Sequence, residues 1–382
     1  MKFLLYLLFL LPFNAGAQND SCRLRISLLT ATPGDELYST FGHSALRVID
    51  STNNTDIVYN YGTFNFDEPG FYTKFVRGKL MYFLSREYFD SFIYSYQEEH
   101  RGITEQVLNL SCAEKNKIVD LLYDNMMPAN RFYKYDFTFD NCTTRLRDLI
   151  ENSSDGQVHF KTVLNSPKTF RNLIHDYLDI NDKQWSKLGI DILLGAKTDA
   201  VMTPREEMFL PDYLLMNFDS ATLDNHTLVA QKKPVYAVVL PDNTKDNLRH
   251  PFFIFTCLFA FIAFFSFFKN PVIQKIMSSL DGLLFFVAGL LGILLVFMWF
   301  GTDHIMTKNN YNLLWAWPLN AVAAFYIHSK KKWVKIYYLV YAIFNLILLG
   351  VWFFLPQLMN PALIPIIGIL IFRSFVYITR KH

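Results

Sequence analysis

The most informative absences in this 382-residue sequence are those of metal and nucleotide signatures. It contains no HExxH, no CxxC and no closely spaced histidine pair, which argues against a zinc site. A GxSxG elbow and a glycine-rich phosphate loop are also missing, which argues against a serine hydrolase and a nucleotide hydrolase. The net charge is only +2, and residues 18–248 hold no basic cluster interleaved with aromatics. We therefore expect no metal, no cofactor and no nucleic-acid partner.

The beginning of the chain has the pattern of a secretory signal peptide. Lys2 supplies a positive charge, Phe3 to Leu11 is apolar, and Ala15-Gly16-Ala17 is a cleavage site. We predict that residues 1–17 are a signal peptide. Residues 18–248 are mixed in polarity and long enough for one good core, so we expect a single exported α+β domain.

Apolar runs dominate residues 249–382, and five of them approach the length that spans about 30 Å of hydrocarbon. They are Pro251–Phe268, Leu283–Phe300, Leu313–His328, Ile336–Leu355 and Pro361–Thr379. Lysines follow the first and third runs, and Arg380 and Lys381 end the chain. The positive-inside rule then places the exported domain outside and the C-terminus in the cytoplasm. We expect Arg373 to reach the membrane surface by snorkelling.

Between Tyr133 and Leu149 the sequence changes from a strand pattern to a helix pattern. Aromatic residues alternate from Tyr133 to Phe139, whereas Leu146, Leu149 and Ile150 have helical spacing. Asp140 and Asn141 are good N-caps, so a helix should begin there with Cys142 in its first turn. The helix dipole and the nearby arginines Arg145 and Arg147 are expected to lower the pKa of that thiol. Buried, inert cysteines are also common, so this position alone does not establish a nucleophile.

The chain has four cysteines, three of which lie in the exported domain. Cysteines tend to pair in an oxidising compartment, and the economical arrangement is a Cys22–Cys112 disulfide with Cys142 free. Cys112 also begins a helix and is the rival nucleophile, but Glu114 and Asp120 make its surroundings acidic.

A cysteine nucleophile needs a base and a group that orients the base. His43 is the best candidate base because it stands in a predicted strand among small residues, Gly42, Ser44 and Ala45. Asn60, on the next predicted strand, is the first candidate for the orienting residue, with Tyr61 and Tyr59 as alternatives. A lone histidine is nevertheless more often structural than catalytic.

Several segments together resemble the Lnb family of bacterial lipoprotein N-acyltransferases. They are FGHSALRV, YNYGTF, YDFTFDNCTTRLRDLI and FLPDYL, followed by five spans that carry HIMTKNNYNLLWAWPLN. The resemblance implies a circularly permuted papain-like domain followed by an all-α transmembrane domain with five helices. It also implies that Cys142 is the nucleophile and His43 the base, in a protein of the bacterial inner membrane with its N-terminal domain in the periplasm.

The function implied is transfer of a fatty acyl chain from a membrane phospholipid, through a Cys142 thioester, to the amine of a diacylglyceryl lipoprotein. The alternative is a membrane-tethered cysteine amidase or peptidase that acts on cell-wall peptide. A third possibility is a scaffold that binds lipid or peptide without catalysis.

One polar loop, residues 301–312, is expected on the same side of the membrane as Cys142. It contains His304 and Asn312 and is followed by two tryptophans. We predict that His304 and Asn312 bind a substrate without taking part in the chemistry.

Overall fold

The computed structural model describes residues 22–238 and 247–379. The predicted signal peptide and the C-terminal residues 380–382 lie outside the described residues. The described chain is α+β, with a sheet-rich N-terminal part and a helical C-terminal part. This confirms the predicted fold class at that level.

The strands pair antiparallel in one seven-stranded sheet of order β10-β5-β1-β2-β3-β4-β6 and one small sheet of order β7-β8-β9. Their bounds are β1 Leu24–Ala31, β2 His43–Asp50, β3 Thr55–Thr63, β4 Met81–Tyr88, β5 Ile103–Leu108, β6 Phe132–Lys134, β7 Val158–His159, β8 Thr222–Leu223, β9 His226–Thr227 and β10 Val229–Tyr236. β2 and β3 are neighbours, as their alternating sequences predict, so His43 and Asn60 lie on adjacent strands.

The α-helices of the described residues are α1 Phe71–Val76, α2 Phe89–Glu98, α3 Cys112–Met126, α4 Cys142–Ser153, α5 Phe170–Ile180, α6 Gln184–Leu193, α7 Pro204–Glu207, α8 Pro211–Ser220, α9 Pro251–Ser266, α10 Pro271–Phe300, α11 Asn320–Ala323, α12 Lys332–Gly350 and α13 Leu363–Thr379. α3 and α4 begin at capping boxes on Ser111 and Asn141. α4 packs its apolar face on β2 and β3, with Leu146 and Ile150 fully buried.

A disulfide joins Cys22 to Cys112, whose Cα atoms are 5.3 Å apart. It ties the chain just before β1 to the first turn of α3. The free cysteines of the described residues are Cys142, which is buried, and Cys257, which is exposed on α9.

Among the described residues 247–379, the structure has two long apolar helices and two shorter ones instead of the predicted five spanning helices. α10 and α12 are long and apolar enough to cross a membrane, and α9 and α13 are shorter apolar helices. The third predicted span is broken into a 3₁₀ turn at Tyr311–Leu314, the short α11, and a second 3₁₀ turn at Ala324–Tyr326. The prediction of a helix there is wrong, and Pro318, which lacks an N–H group, stands in the break.

This broken segment still runs antiparallel to α10. A Cβ at Gly292 or Gly289 would overlap the backbone of Ala316 or Ala321, so both glycines permit a close approach. Irregular backbone is tolerated at membrane depth where protein covers its polar groups. Here tyrosines of α12 do so: Tyr341 donates to the Trp315 carbonyl at 2.6 Å, and Tyr338 to that of Ala323 at 3.0 Å.

Arg373 does not snorkel. It is 2% exposed, and Nη2 donates to a carboxylate oxygen of Asp281 at 2.7 Å. The prediction failed because Asp281, 92 residues away in sequence, supplies a buried partner on α10.

The N-terminal domain is bonded to the membrane region at several places, including two with charged residues. At the first, the loop after α10 contacts α1 and β6: His304 Nε2 donates to the Phe75 carbonyl at 3.1 Å, and Lys134 pairs with Asp303 at 2.9 Å. At the second, the buried Asp191 of α6 accepts from Arg171 at 2.7 Å and from Asn360 at 2.9 Å. These contacts hold the N-terminal domain against the helices of the membrane region.

Candidate active site

Cys142 is the first residue of α4, and Asn141 fixes it there. Asn141 Oδ1 accepts from the backbone N–H groups of Thr143 and Thr144 at 2.9 and 3.0 Å. Its Nδ2 donates to the carbonyls of Phe137 and Phe209 at 2.6 and 2.8 Å. The cap therefore joins the start of α4 to two other segments as well as to its own helix.

His43, at the start of β2, lies beside this helix start. α4 packs on β2 and β3, and the backbone N–H of Ser44, the residue after His43, points to the Cys142 sulfur. No hydrogen bond joins Cys142 and His43 in the described part of the chain. The structure thus brings the predicted nucleophile and base into one site without direct contact, as is common in the absence of substrate.

His43 is bonded to Asn60, with 3.2 Å between His43 Nε2 and Asn60 Oδ1. Asn60 Nδ2 donates in turn to Glu87 on β4 at 2.9 Å. Because a carboxylate only accepts hydrogen bonds, Glu87 must face the NH₂ group of Asn60, which turns the amide oxygen towards His43. The amide oxygen also only accepts, so His43 carries its proton on Nε2. Nδ1 is left as the basic nitrogen.

Glu87 is a residue of the site that the sequence did not predict. Glu87 lies on β4, two strands from His43. Its position beside Asn60 depends on the register of β3 and β4, in which Asn60 pairs with Ser85 and Val58 with Glu87. The sequence offered one signal, the charged residues Arg86 and Glu87 at the end of an apolar strand.

The protonation state of the pair differs from the prediction. Burial raises the pKa of the Cys142 thiol, and the N–H groups of Ser44, Thr143 and Cys142 only partly oppose this. The expected lowering by the helix start is therefore wrong, because desolvation outweighs it. Burial also lowers the pKa of His43 to about 4, against the opposing effect of the Asn60 bond. At neutral pH the resting site holds a neutral thiol and a neutral imidazole.

The two arginines expected to activate the thiol are occupied elsewhere. Arg145 makes a bidentate pair with Asp140 at 2.5 and 2.8 Å and lies over the ring of Tyr133. Arg147 pairs with Asp148 and donates to the carbonyl of Arg205. Neither contributes a free positive charge at the sulfur.

Gly62 and aromatic rings pack beside the thiol. Gly62 has φ +90°, a conformation that favours glycine, and a Cβ there would lie 3.8 Å from Cβ of Cys142 and 3.7 Å from the Tyr135 ring. Tyr135 stacks on Tyr82 at 4.3 Å between ring centroids, and Tyr82 packs on Phe64 at 5.1 Å. An apolar surface therefore leads away from the sulfur.

The predicted binding residues of the 301–312 loop have different positions. His304 bonds to α1 and joins the loop to the periplasmic domain. Asn312 is fully buried: Nδ2 donates to the carbonyls of Asp191 and Ile192, and Oδ1 accepts from Trp315. Substrate binding by Asn312 does not fit this arrangement, because no polar atom of the side chain is left for a ligand.

The site combines a thiol, a basic nitrogen held by an amide, and N–H donors beside the sulfur. Acyl transfer through a cysteine uses these three kinds of group as nucleophile, base and oxyanion donors. Among the described residues, no group of three or more His, Cys, Asp or Glu side chains is arranged to hold a metal ion.

Comparison with known families found two matches. A family model described as the Lnb N-terminal periplasmic domain matches residues 14–176, and one described as the Lnb transmembrane domain matches residues 243–382. Comparisons with curated proteins and with solved structures found no match.

Proposed function

The chain belongs to the Lnb family, and from this premise we propose that it moves a fatty acyl chain from a membrane phospholipid to the N-terminal amine of a diacylglyceryl lipoprotein. Family membership supports a membrane-associated enzyme that modifies lipoproteins, with its N-terminal domain in the periplasm. The observation that carries the finer proposal is the free Cys142 thiol beside the His43–Asn60 pair, in a domain bonded to membrane helices.

In the first half-reaction the Cys142 sulfur attacks the ester carbonyl of the phospholipid while His43 Nδ1 takes the thiol proton. Because the resting pair is neutral, proton transfer accompanies the attack instead of preceding it. The N–H groups of Ser44 and Cys142 are the donors nearest the oxyanion. Collapse breaks the ester C–O bond, and His43 gives its proton to the leaving alkoxide of the lysophospholipid.

In the second half-reaction the neutral α-amine of the lipoprotein attacks the thioester. His43 takes a proton from the attacking nitrogen, the C–S bond breaks, and the proton returns to the thiolate. The product is an amide, which is more stable than a thioester, so no nucleotide is consumed. Both substrates are confined to the bilayer, which gives the membrane helices a reason to be part of the enzyme.

The experiment is to incubate purified full chain with phospholipid carrying a labelled acyl chain and to look for label on the protein. Wild type should hold label that hydroxylamine releases, and Cys142→Ser should hold none of that kind. Cys257→Ser is the matched control, since it removes the other free thiol and should label like wild type. Hydroxylamine-sensitive label on Cys142→Ser, or cleavage of cell-wall peptide in place of labelling, would contradict the proposal.

A further inference from the structure

A cavity of about 520 Å³ lies beside α1, away from the thiol. Phe64, Met81, Phe83 and Phe132 supply apolar wall, and Arg131, Asp67 and Glu68 supply charge. The catalytic steps above use none of these residues. An opening with apolar walls and both signs of charge is suited to an amphipathic ligand that is itself zwitterionic.

The two sides of this cavity are bonded to the loop that follows α10. On one side, α1 accepts from His304 through the Phe75 carbonyl, and the N–H of Asp303 donates to the carbonyl of Arg77. On the other side, Lys134 of β6 pairs with Asp303. The cavity therefore lies at the level where α10 ends, which is the surface of the bilayer if α10 spans it.

Exposed aromatic residues lie in the segments that line the cavity and in α1, which follows one of them. Tyr72 is 78% exposed, Phe66 is 66% exposed, and Phe75 and Phe132 are each about half exposed. Tyrosine, whose ring has one polar end, is typical of a membrane interface, and exposed phenylalanines supply apolar surface that lipid can cover. A ligand that enters from the outer surface of the bilayer would pass these rings first.

The charges in the cavity are available. Arg131 is held by Nε, which donates to the Leu84 carbonyl at 2.8 Å, and its guanidinium lies 4.7 Å from the Phe83 ring centroid. No carboxylate pairs with Arg131 within the described residues, so its other nitrogens are free to bind an anion. Glu68 pairs with Lys74 at 2.6 Å, whereas Asp67 has no cationic partner in the described chain.

The distance from the thiol indicates which part of a substrate fits. Phe64, a wall of the cavity, packs on Tyr82, and Tyr82 stacks on Tyr135, which borders the Cys142 side of Gly62. Two aromatic layers thus separate the cavity from the sulfur. A group bound here is several bonds away from the reacting carbonyl, as the headgroup of a phospholipid is from its ester.

We propose that this cavity is the headgroup site for the acyl donor and that it prefers a zwitterionic phospholipid whose headgroup carries an ammonium group. Arg131 binds the phosphate and Asp67 binds the ammonium, and the glycerol backbone leads from there past Phe64 towards Cys142, where an ester reacts. This inference rests on the proposed function, because it assigns the donor of that reaction.

Binding in the absence of chemistry tests the site directly. Full chain carrying Cys142→Ala is titrated in detergent with short-chain phosphatidylethanolamine and with phosphatidylglycerol of the same chain length, and the dissociation constants are measured by calorimetry. We expect the ethanolamine lipid to bind roughly two- to fivefold more tightly, the range for one partly exposed ionic contact. Adding Asp67→Asn should abolish that preference, and adding Arg131→Gln should weaken both lipids.

Asp120→Asn is the matched control, because Asp120 is an exposed acid on α3, outside the cavity lining. It should leave both dissociation constants unchanged. Equal binding of the two lipids, absence of binding, or a preference that survives Asp67→Asn would overturn the headgroup site. Labelling of Cys142 in the donor experiment answers the separate question: if label forms while Asp67→Asn changes no preference, acyl transfer stands and this site does not.

Discussion

Replacing Asn141 with alanine tests how strongly the start of α4 is held, because its amide makes more bonds than an ordinary N-cap. Loss of an N-cap acceptor costs about 1 kcal/mol. The substitution also removes the donor to the Phe137 carbonyl and one of two donors to the Phe209 carbonyl, which keeps its bond from Thr143 Oγ1 at 2.9 Å. Loss of an only donor costs about 1 kcal/mol or more, and loss of one of two costs less. We therefore expect Asn141→Ala to lower the free energy of unfolding by about 2 to 3 kcal/mol.

The assay is thermal unfolding of purified full chain in detergent. For a domain of this size, 1 kcal/mol corresponds to roughly 2–4 °C in Tm, so the expected decrease is on the order of 10 °C. Ser111→Ala is the control, since Ser111 caps α3 through one exposed hydroxyl, and it should lose only about 1 kcal/mol. Asn141→Asp separates the two effects, because it keeps the acceptor for α4 and loses both donated bonds. A Tm for Asn141→Ala no lower than that for Ser111→Ala would refute this reasoning.

Three further outcomes follow from the same structure. Because burial holds the pKa of His43 at about 4, the single-turnover rate of Cys142 acylation should stay level from pH 7 to about 5 and fall only near 4; a midpoint near 6.5 would contradict this. Asn60→Ala frees the His43 ring and should lower that rate about ten- to a hundredfold, less than the loss of the base itself; an unchanged rate would show that Asn60 does not orient it. Removing the Cys22–Cys112 disulfide, which joins residues 90 apart, should cost about 4 kcal/mol and be visible as a lower Tm in the double alanine variant; an unchanged Tm would contradict this.

Features that depend on neighbouring residues were predictable from the sequence. The strands that carry His43 and Asn60 were predicted, and so were the starts of α3 and α4 at Cys112 and Cys142. The placement of His43 and Asn60 on adjacent strands needed only a hairpin, which is a short-range connection. The structure adds the 3.2 Å bond between them.

Features that depend on partners far along the chain were not predictable. Arg373 pairs with Asp281, and Asn312 donates to carbonyls of α6. No residue near Arg373 or Asn312 in the sequence indicates these partners. The prediction of a lowered pKa for the Cys142 thiol failed for a related reason. The helix start is a local feature, and the sequence predicts it correctly. Burial has the larger effect on the pKa, and it comes from β2, β3 and the aromatic rings packed around Cys142.

The third membrane segment shows the same division. Its composition predicts a span, and its path along α10 agrees with a crossing, but composition does not show whether the backbone is helical. That depends on Gly289 and Gly292 of α10, which let the segment approach closely, and on the tyrosines of α12, which donate to its carbonyl groups.

Mass spectrometry of a lipoprotein N-terminus tests the central claim most directly. A bacterium whose lipoproteins depend on this protein for their third acyl chain is complemented with wild type, Cys142→Ser or the control Cys257→Ser, and the N-terminal peptide of one abundant lipoprotein is weighed. We expect an N-acylated, triacylated peptide with wild type and with Cys257→Ser, and only the diacylglyceryl form with a free amine with Cys142→Ser. A triacylated peptide in the Cys142→Ser strain would contradict the account.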